Sequence, residues 1–155
     1  MASYPMVLLV PAGHRLASRR RVALHELADE ESVDFPPGTG SRDLVDRAFA
    51  TAGVRRKVAL EADIASAAAY VRYGLGITLL PEFAAPDTPD LRVLAVGDHT
   101  LRWTLSIATS STRRPSRPLR ALLALADEYA STTPQRPDLH DLTSQGRKPT
   151  TDHQG

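Results

Sequence analysis

Cysteine is absent from the 155 residues. That removes disulfides, thiol nucleophiles and thiolate metal sites together. Lysine is almost absent: Lys57 and Lys148 are the only two, and the remaining basic side chains are arginine. An excess of one charge is missing as well. Lys and Arg number 19 against 18 Asp and Glu, a net charge of +1, so no global field draws the chain to nucleic acid or to a membrane surface. No segment approaches the ~18 consecutive apolar residues of a membrane span. The apolar run at residues 6–10 is shorter than the ~7–15 residues of a signal-peptide core, and its arginines follow it where a signal needs them to precede it. These absences point to a cytoplasmic protein with no membrane partner.

What is present is an ordinary globular composition, 42% hydrophobic and 24% charged, in a chain long enough for one domain with a core. "YPMVLLVP" (4–11) is a continuous apolar run closed by proline, suited to a strand buried on both faces. "SVDF" (32–35) is a short strand stopped by "PPGTG". Leu44, Val45, Ala48, Phe49 and Ala52 recur at helical spacing, with Ser41 as the expected N-cap and Gly53 past the end. "KVALE" (57–61) is the next strand. Asp63 caps a second helix with Ile64, Ala67, Ala68 and Val71 inward. "ITLLP" (77–81), "LRVLAV" (91–96) and "LRWTLSIAT" (101–109) follow as strands. A last helix covers 116–130 with Leu119, Leu122, Leu123, Ala126 and Tyr129 inward. Residues 131–155 lack periodicity and read as a disordered tail. Strands alternating with helices predict an α/β fold with a mostly parallel sheet.

In open α/β sheets ligands sit beyond the carboxyl ends of the strands. Two strand-to-helix joins fit that place. "FPPGTGSR" (35–42) offers unpaired, positively polarised amides at a helix start, with Thr39 and Ser41 adding hydroxyls. "EADIAS" (61–66) is the second. The expected ligand-binding residues are Phe35, Pro36, Gly38, Thr39, Gly40, Ser41, Asp63, Ile64 and Gly74; ordinary capped loops are the alternative. Phe35 and Tyr70 would admit an aromatic acid, or serve as core. In "YVRYGLGITLLPE" (70–82), Gly74 and Gly76 are expected mainly to turn helix sharply into strand, with backbone contact to a ligand as a second role. "GTGSR" is no P-loop and "GLG" no dinucleotide fingerprint, since it opens a strand. No histidine pair has metal-ligand spacing, no serine sits in a nucleophile elbow, and no helix-turn-helix pattern occurs. The arginines at 19–21 and at 113, 114 and 117 read as exposed loops. No catalytic residue, metal or cofactor is expected, and an enzyme is disfavoured.

The order of these motifs resembles the effector-binding region of LysR-type transcriptional regulators. His14, Leu16 and Ala17, then Leu24, Leu27 and Ala28, sit in "MVLLVPAGHRLASRRRVALHELADEESV". "GTGSRDLVDRAFATAGV" and "YVRYGLGITLLPE" match the segments that follow. The resemblance covers residues 4–130. It implies a periplasmic-binding-protein-like (type II) domain of two α/β lobes, between which a small metabolite, often an organic acid, binds. On that resemblance residues 21–106 form a complete lobe, while residues 4–11 and 116–130 are remnants of an incomplete second lobe. Family members are about twice as long, and their DNA-binding part has no counterpart here. The expectation is therefore a truncated effector-binding segment with a half cleft that binds weakly and does not contact DNA. The alternative is a module that associates with a full-length LysR-type partner or with itself.

Overall fold

A computed structural model of the chain describes residues 2–97, 101–110, 112 and 114–132. It divides into two units, Met1–Ser106 and Ile107–Gly155.

The first unit is built around strand β1 (Ala2–Pro11), whose residues 6–10 are buried on both faces. The reason is that two different layers cover it. Met6, Leu8 and Val10 point into one cluster with Leu24, Leu27, Val45 and Phe49, while Val7 and Leu9 point into another with Ala67, Val71 and Leu80. Alternation along a strand sends successive side chains to opposite faces, so an unbroken apolar run is what a sheet covered on both sides requires. Helix α1 (Gly40–Thr51) supplies Val45 and Phe49 to the first cluster, and helix α2 (Ile64–Arg72) supplies Ala67 and Val71 to the second.

Around β1 stand β5 (Thr78–Pro81) and β6 (Leu91–Val96), both antiparallel to it. Leu8 is paired with Leu79 on one side and Leu94 on the other. β2 (Arg21–Val22) lies parallel to β6. β3 (Glu31–Asp34) lies parallel to β4 (Lys57–Glu61), and a parallel bridge between Ser32 and Ile77 joins that pair to the start of β5. All five of β2 to β6 therefore run the same way, and β1 alone in that set is reversed. The expected α/β class holds, but the sheet is mixed where a mostly parallel one was expected, because the reversed β1 at its centre pairs antiparallel with both neighbours.

Residues 4–11 were expected to be a remnant lacking a sheet of its own. Residues 6–11 lie at the centre of this sheet, a pairing that the apolar run did not specify, since it calls for burial and carries no information about partners. The first residues of β1 go elsewhere: Ala2 to Pro5 pair with β7 (Arg102–Leu105), which is shorter than the strand expected over 101–109.

In the second unit, helix α3 (Arg117–Thr132) follows Ser116, whose carbonyl accepts from the Arg120 amide at 2.9 Å. Leu122 and Tyr129, expected inward, are exposed with Leu125, whereas Leu119, Leu123 and Ala126 are half-buried. Ser131 and Thr132 belong to this helix; the rest of the expected tail, 133–155, lies outside the described residues.

Candidate functional site

Because β3 and β4 are adjacent and parallel, their carboxyl ends deliver two chain joins side by side. The first runs from Asp34 to α1. Gly38 takes φ 83° there, a left-handed turn that glycine adopts without a Cβ penalty. The Thr39 hydroxyl donates to the Pro36 carbonyl at 2.9 Å and accepts from the Arg42 amide at 3.4 Å. Thr39, not Ser41, is thus the N-cap of α1. The two hydroxyls are two residues apart in "TGS", and the extended backbone of Thr39 decides which one caps. The amides of Gly40 and Ser41, in the first turn, have no acceptor within the helix.

The second join runs from Glu61 to α2. Asp63 caps this helix as expected, its Oδ1 accepting from the Ala65 and Ser66 amides at 2.9 Å each. Those bonds, the Ser66 amide foremost, hold the exposed Asp63 carboxyl below its usual range. A carboxylate caps α2 directly, whereas α1 is capped by the neutral Thr39 hydroxyl and carries Asp43 in its first turn.

Two contacts tie the joins together. The Ala62 amide donates to the Asp34 carbonyl at 2.8 Å. Arg42 donates through Nη1 to the Phe35 carbonyl at 3.1 Å and to Glu61 Oε1 at 3.3 Å, and through Nε to Asp46 at 2.9 Å. Behind the joins, Arg56 Nη1 stands 2.6 Å from Asp34 Oδ2 and its Nη2 pairs with Asp46. The Arg56 guanidinium also lies 5.3 Å from the Phe49 ring centre. Burial pushes the Asp34 carboxyl above its usual range, against the pull of Arg56.

Of the expected ligand-binding residues, Pro36, Gly38, Thr39, Gly40, Ser41, Asp63 and Ile64 come together at these joins. Ile64 is exposed. Phe35 is at the same end, but its ring is buried in the core with Val33, Ala67 and Val71, so only its backbone faces the joins. Gly74 is placed elsewhere. It lies past the far end of α2, roughly 14 Å along a helix of this length, where the chain re-enters beside Glu31. The Ile77 amide donates there to the Glu31 carbonyl at 2.8 Å. This is the amino end of the parallel strands, opposite the joins, because α2 must run back before β5 can start parallel to β3.

Three aromatic residues that the sequence did not single out gather at the carboxyl end of β5. Phe83 is 4.8 Å from Tyr4 and 5.5 Å from Trp103 between ring centres. Tyr4 and Trp103 are register partners in β1 and β7. Nothing local signals this cluster, since its members are far apart in the chain. A shallow groove of about 320 Å³ flanks α1 between Leu24, Arg47, Val96 and Leu101 and includes none of the expected residues. Among the described residues no group of three or more acidic or histidine side chains is placed to hold a metal, and no helix is long and apolar enough to cross a membrane.

The family described as "LysR substrate binding domain" matches residues 1–131. A Bacillus subtilis (strain 168) relative, the uncharacterized HTH-type transcriptional regulator YybE, is 33% identical over 95 residues, covering 61% of this chain and 32% of that protein. The chain thus spans about a third of that relative's length. Among solved structures, the Synechocystis PCC6803 CcmR regulatory domain in complex with 2-PG is similar with a TM-score of 0.77 at 20% identity, over 86% of this chain and 66% of that one. The effector binding domain of QuiR in complex with shikimate gives 0.77 at 20% identity, over 85% of this chain and 64% of that one. At such identities these structures establish the shared fold.

Proposed function

This chain belongs to the LysR substrate-binding domain family, and from that premise we propose that it is the effector-sensing part of a LysR-type transcriptional regulator that takes a small organic acid. The observation that carries the reading is the pair of joins side by side at the carboxyl ends of β3 and β4. The ligand carboxylate sits at the Gly40 and Ser41 amides and accepts from the Ser41 hydroxyl, at a helix start capped by a neutral hydroxyl. Asp63 faces the polar remainder of the ligand and Ile64 its apolar side. The acids named with the similar structures, shikimate among them, support this class of ligand. The role is sensing, not catalysis, and it is exercised in the cytoplasm where transcription is regulated.

One wall of joins encloses little of a ligand, and binding pockets usually enclose most of one. The opposite wall therefore comes from a second lobe. Calorimetry and thermal shift with shikimate and benzoate as probes test this. The chain alone should respond weakly, and a longer chain carrying both lobes should bind at least about tenfold more tightly. Ser41→Asp in the longer chain should abolish that binding by placing a fixed negative charge at the amides. Undiminished binding by Ser41→Asp would sink the site, and equal affinity of the short and long chains would sink the two-wall reading.

The exposed stripe of Leu122, Leu125 and Tyr129 on α3 favours a second reading, in which the chain acts by associating with a full-length LysR-type regulator or with a second copy of itself. Co-purification with such a regulator, lost in Leu122→Glu, would support it; the unaltered chain remaining alone and monomeric would exclude it.

A further inference from the structure

Two buried polar atoms lack a hydrogen-bond partner on the same small cavity. Asp34 and Thr78 are 4% and 2% exposed; among the described residues Thr78 Oγ1 has no hydrogen bond, and Asp34 Oδ2 has none beyond its ion pair with Arg56 at 2.6 Å. Both residues line a cavity of about 10 Å³, together with Ser32, Arg56, Phe49 and the core leucines Leu8, Leu27 and Leu79. The cavity lies where the β3–β4 pair meets the start of β5, next to the bridge between Ser32 and Ile77. The register of β3 on β4 shifts between Ser32 and Val33, and such an irregularity leaves ladder positions unfilled.

An orphaned polar atom in an interior, such as Thr78 Oγ1, is costly, so native structures satisfy it. A dry apolar void needs no occupant, but a polar one of this size fits a single water with two to four partners. We infer that this cavity is the binding site of one internal water, which donates to Asp34 Oδ2 and shares a hydrogen bond with Thr78 Oγ1. The surroundings select the occupant. A cation is excluded because the Arg56 guanidinium already lies 2.6 Å from the same oxygen. An anion is excluded by the Asp34 carboxylate. The size admits nothing larger than water. Oδ1 of Asp34 is already engaged by the Phe35 amide at 2.8 Å, so the water completes the carboxylate and joins β3 to β5 where their direct pairing is a lone bridge. By donating to the ionised form it also offsets part of the cost of burying that charge. The inference does not depend on any ligand at the chain joins.

A crystal structure of the unaltered chain should show one ordered water within hydrogen-bonding distance of both Asp34 Oδ2 and Thr78 Oγ1. Magnetic relaxation dispersion of the water oxygen should count one long-lived water fewer in Thr78→Val than in Thr78→Ser, which keeps the hydroxyl. An empty cavity, a direct Thr78–Asp34 hydrogen bond, or equal counts in the two variants would overturn the assignment. Should Thr78→Val fail to fold, the density in the unaltered chain decides alone.

Discussion

A Cβ at position 76 would stand 2.6 Å from the Glu31 carbonyl oxygen and 3.2 Å from the Val33 amide nitrogen, on a backbone with φ 147°. Gly76 therefore lets two backbones approach at the bridge between β3 and β5. Gly74 differs: its φ of 77° is left-handed, but nothing lies within 4 Å of an added Cβ. Gly74→Ala should cost about 1 kcal/mol. Gly76→Ala adds a backbone clash to the strain and should cost about 3 kcal/mol or more. Urea denaturation of the two variants checks the ordering, and equal losses would refute it. The glycine pair was legible in the sequence as a tight turn between helix and strand. That one glycine serves a turn and the other a close approach was not, because the approaching strand is about forty residues upstream. Asp63 was legible outright, since an acid just before an apolar helical repeat has a single local job. Its folded pKa lies below the ordinary value. The stability it contributes is therefore fully present above the ordinary carboxylate range and is lost as pH falls through the depressed folded value. Asp63→Asn keeps a capping oxygen without the charge, so thermal melts across the acid range should show a shallower decline in the variant than in the unaltered chain.

At the scale of elements, β3, α1 and β4 are clamped by charges no local pattern announces. Asp34, Arg42, Asp46, Arg56 and Glu61 come from two strands, a helix and a loop. Removing one member of a buried pair leaves the other charged without a partner. Arg56→Ala should therefore destabilise the fold by about 3 kcal/mol, and the double variant Asp34→Asn with Arg56→Met should recover part of that loss in equilibrium unfolding. If Arg56→Ala is neutral, the pair does not clamp these elements. The helices, by contrast, followed from periodicity: Val45, Phe49, Ala67 and Val71 are buried as their spacing required, whereas Ala52 and Ile64, expected on the same faces, are exposed at helix ends. The two-residue strand β2 had no sequence signal, because its position is set by the neighbouring β6 and not by its own pattern.

At the scale of the whole molecule, the class of fold and six of the seven strands among the described residues were readable, since an apolar run bounded by turns is local information. The reversal of β1 and the separation of Gly74 from the other candidate residues were not, because both depend on the direction in which the chain returns to the sheet. The second unit leaves a prediction of its own. The exposed Leu122, Leu125 and Tyr129 of α3 form an apolar stripe at helical spacing. Sedimentation should show the chain associating as its concentration rises, and Leu122→Glu with Leu125→Glu should abolish that association while leaving the far-ultraviolet helix signal intact. Association unchanged in the double variant would show that the stripe is not the contact.

The central strand comes before both of its sheet neighbours, β5 and β6, in the chain. Leu8 must wait for Leu79 and then Leu94 before both its edges are paired. Until the ribosome has delivered that distance of polypeptide, a ribbon of five apolar side chains has no sheet to enter. Its edges thus stay open while everything between it and β6 is made, and over that interval it is the stickiest segment a nascent-chain chaperone meets.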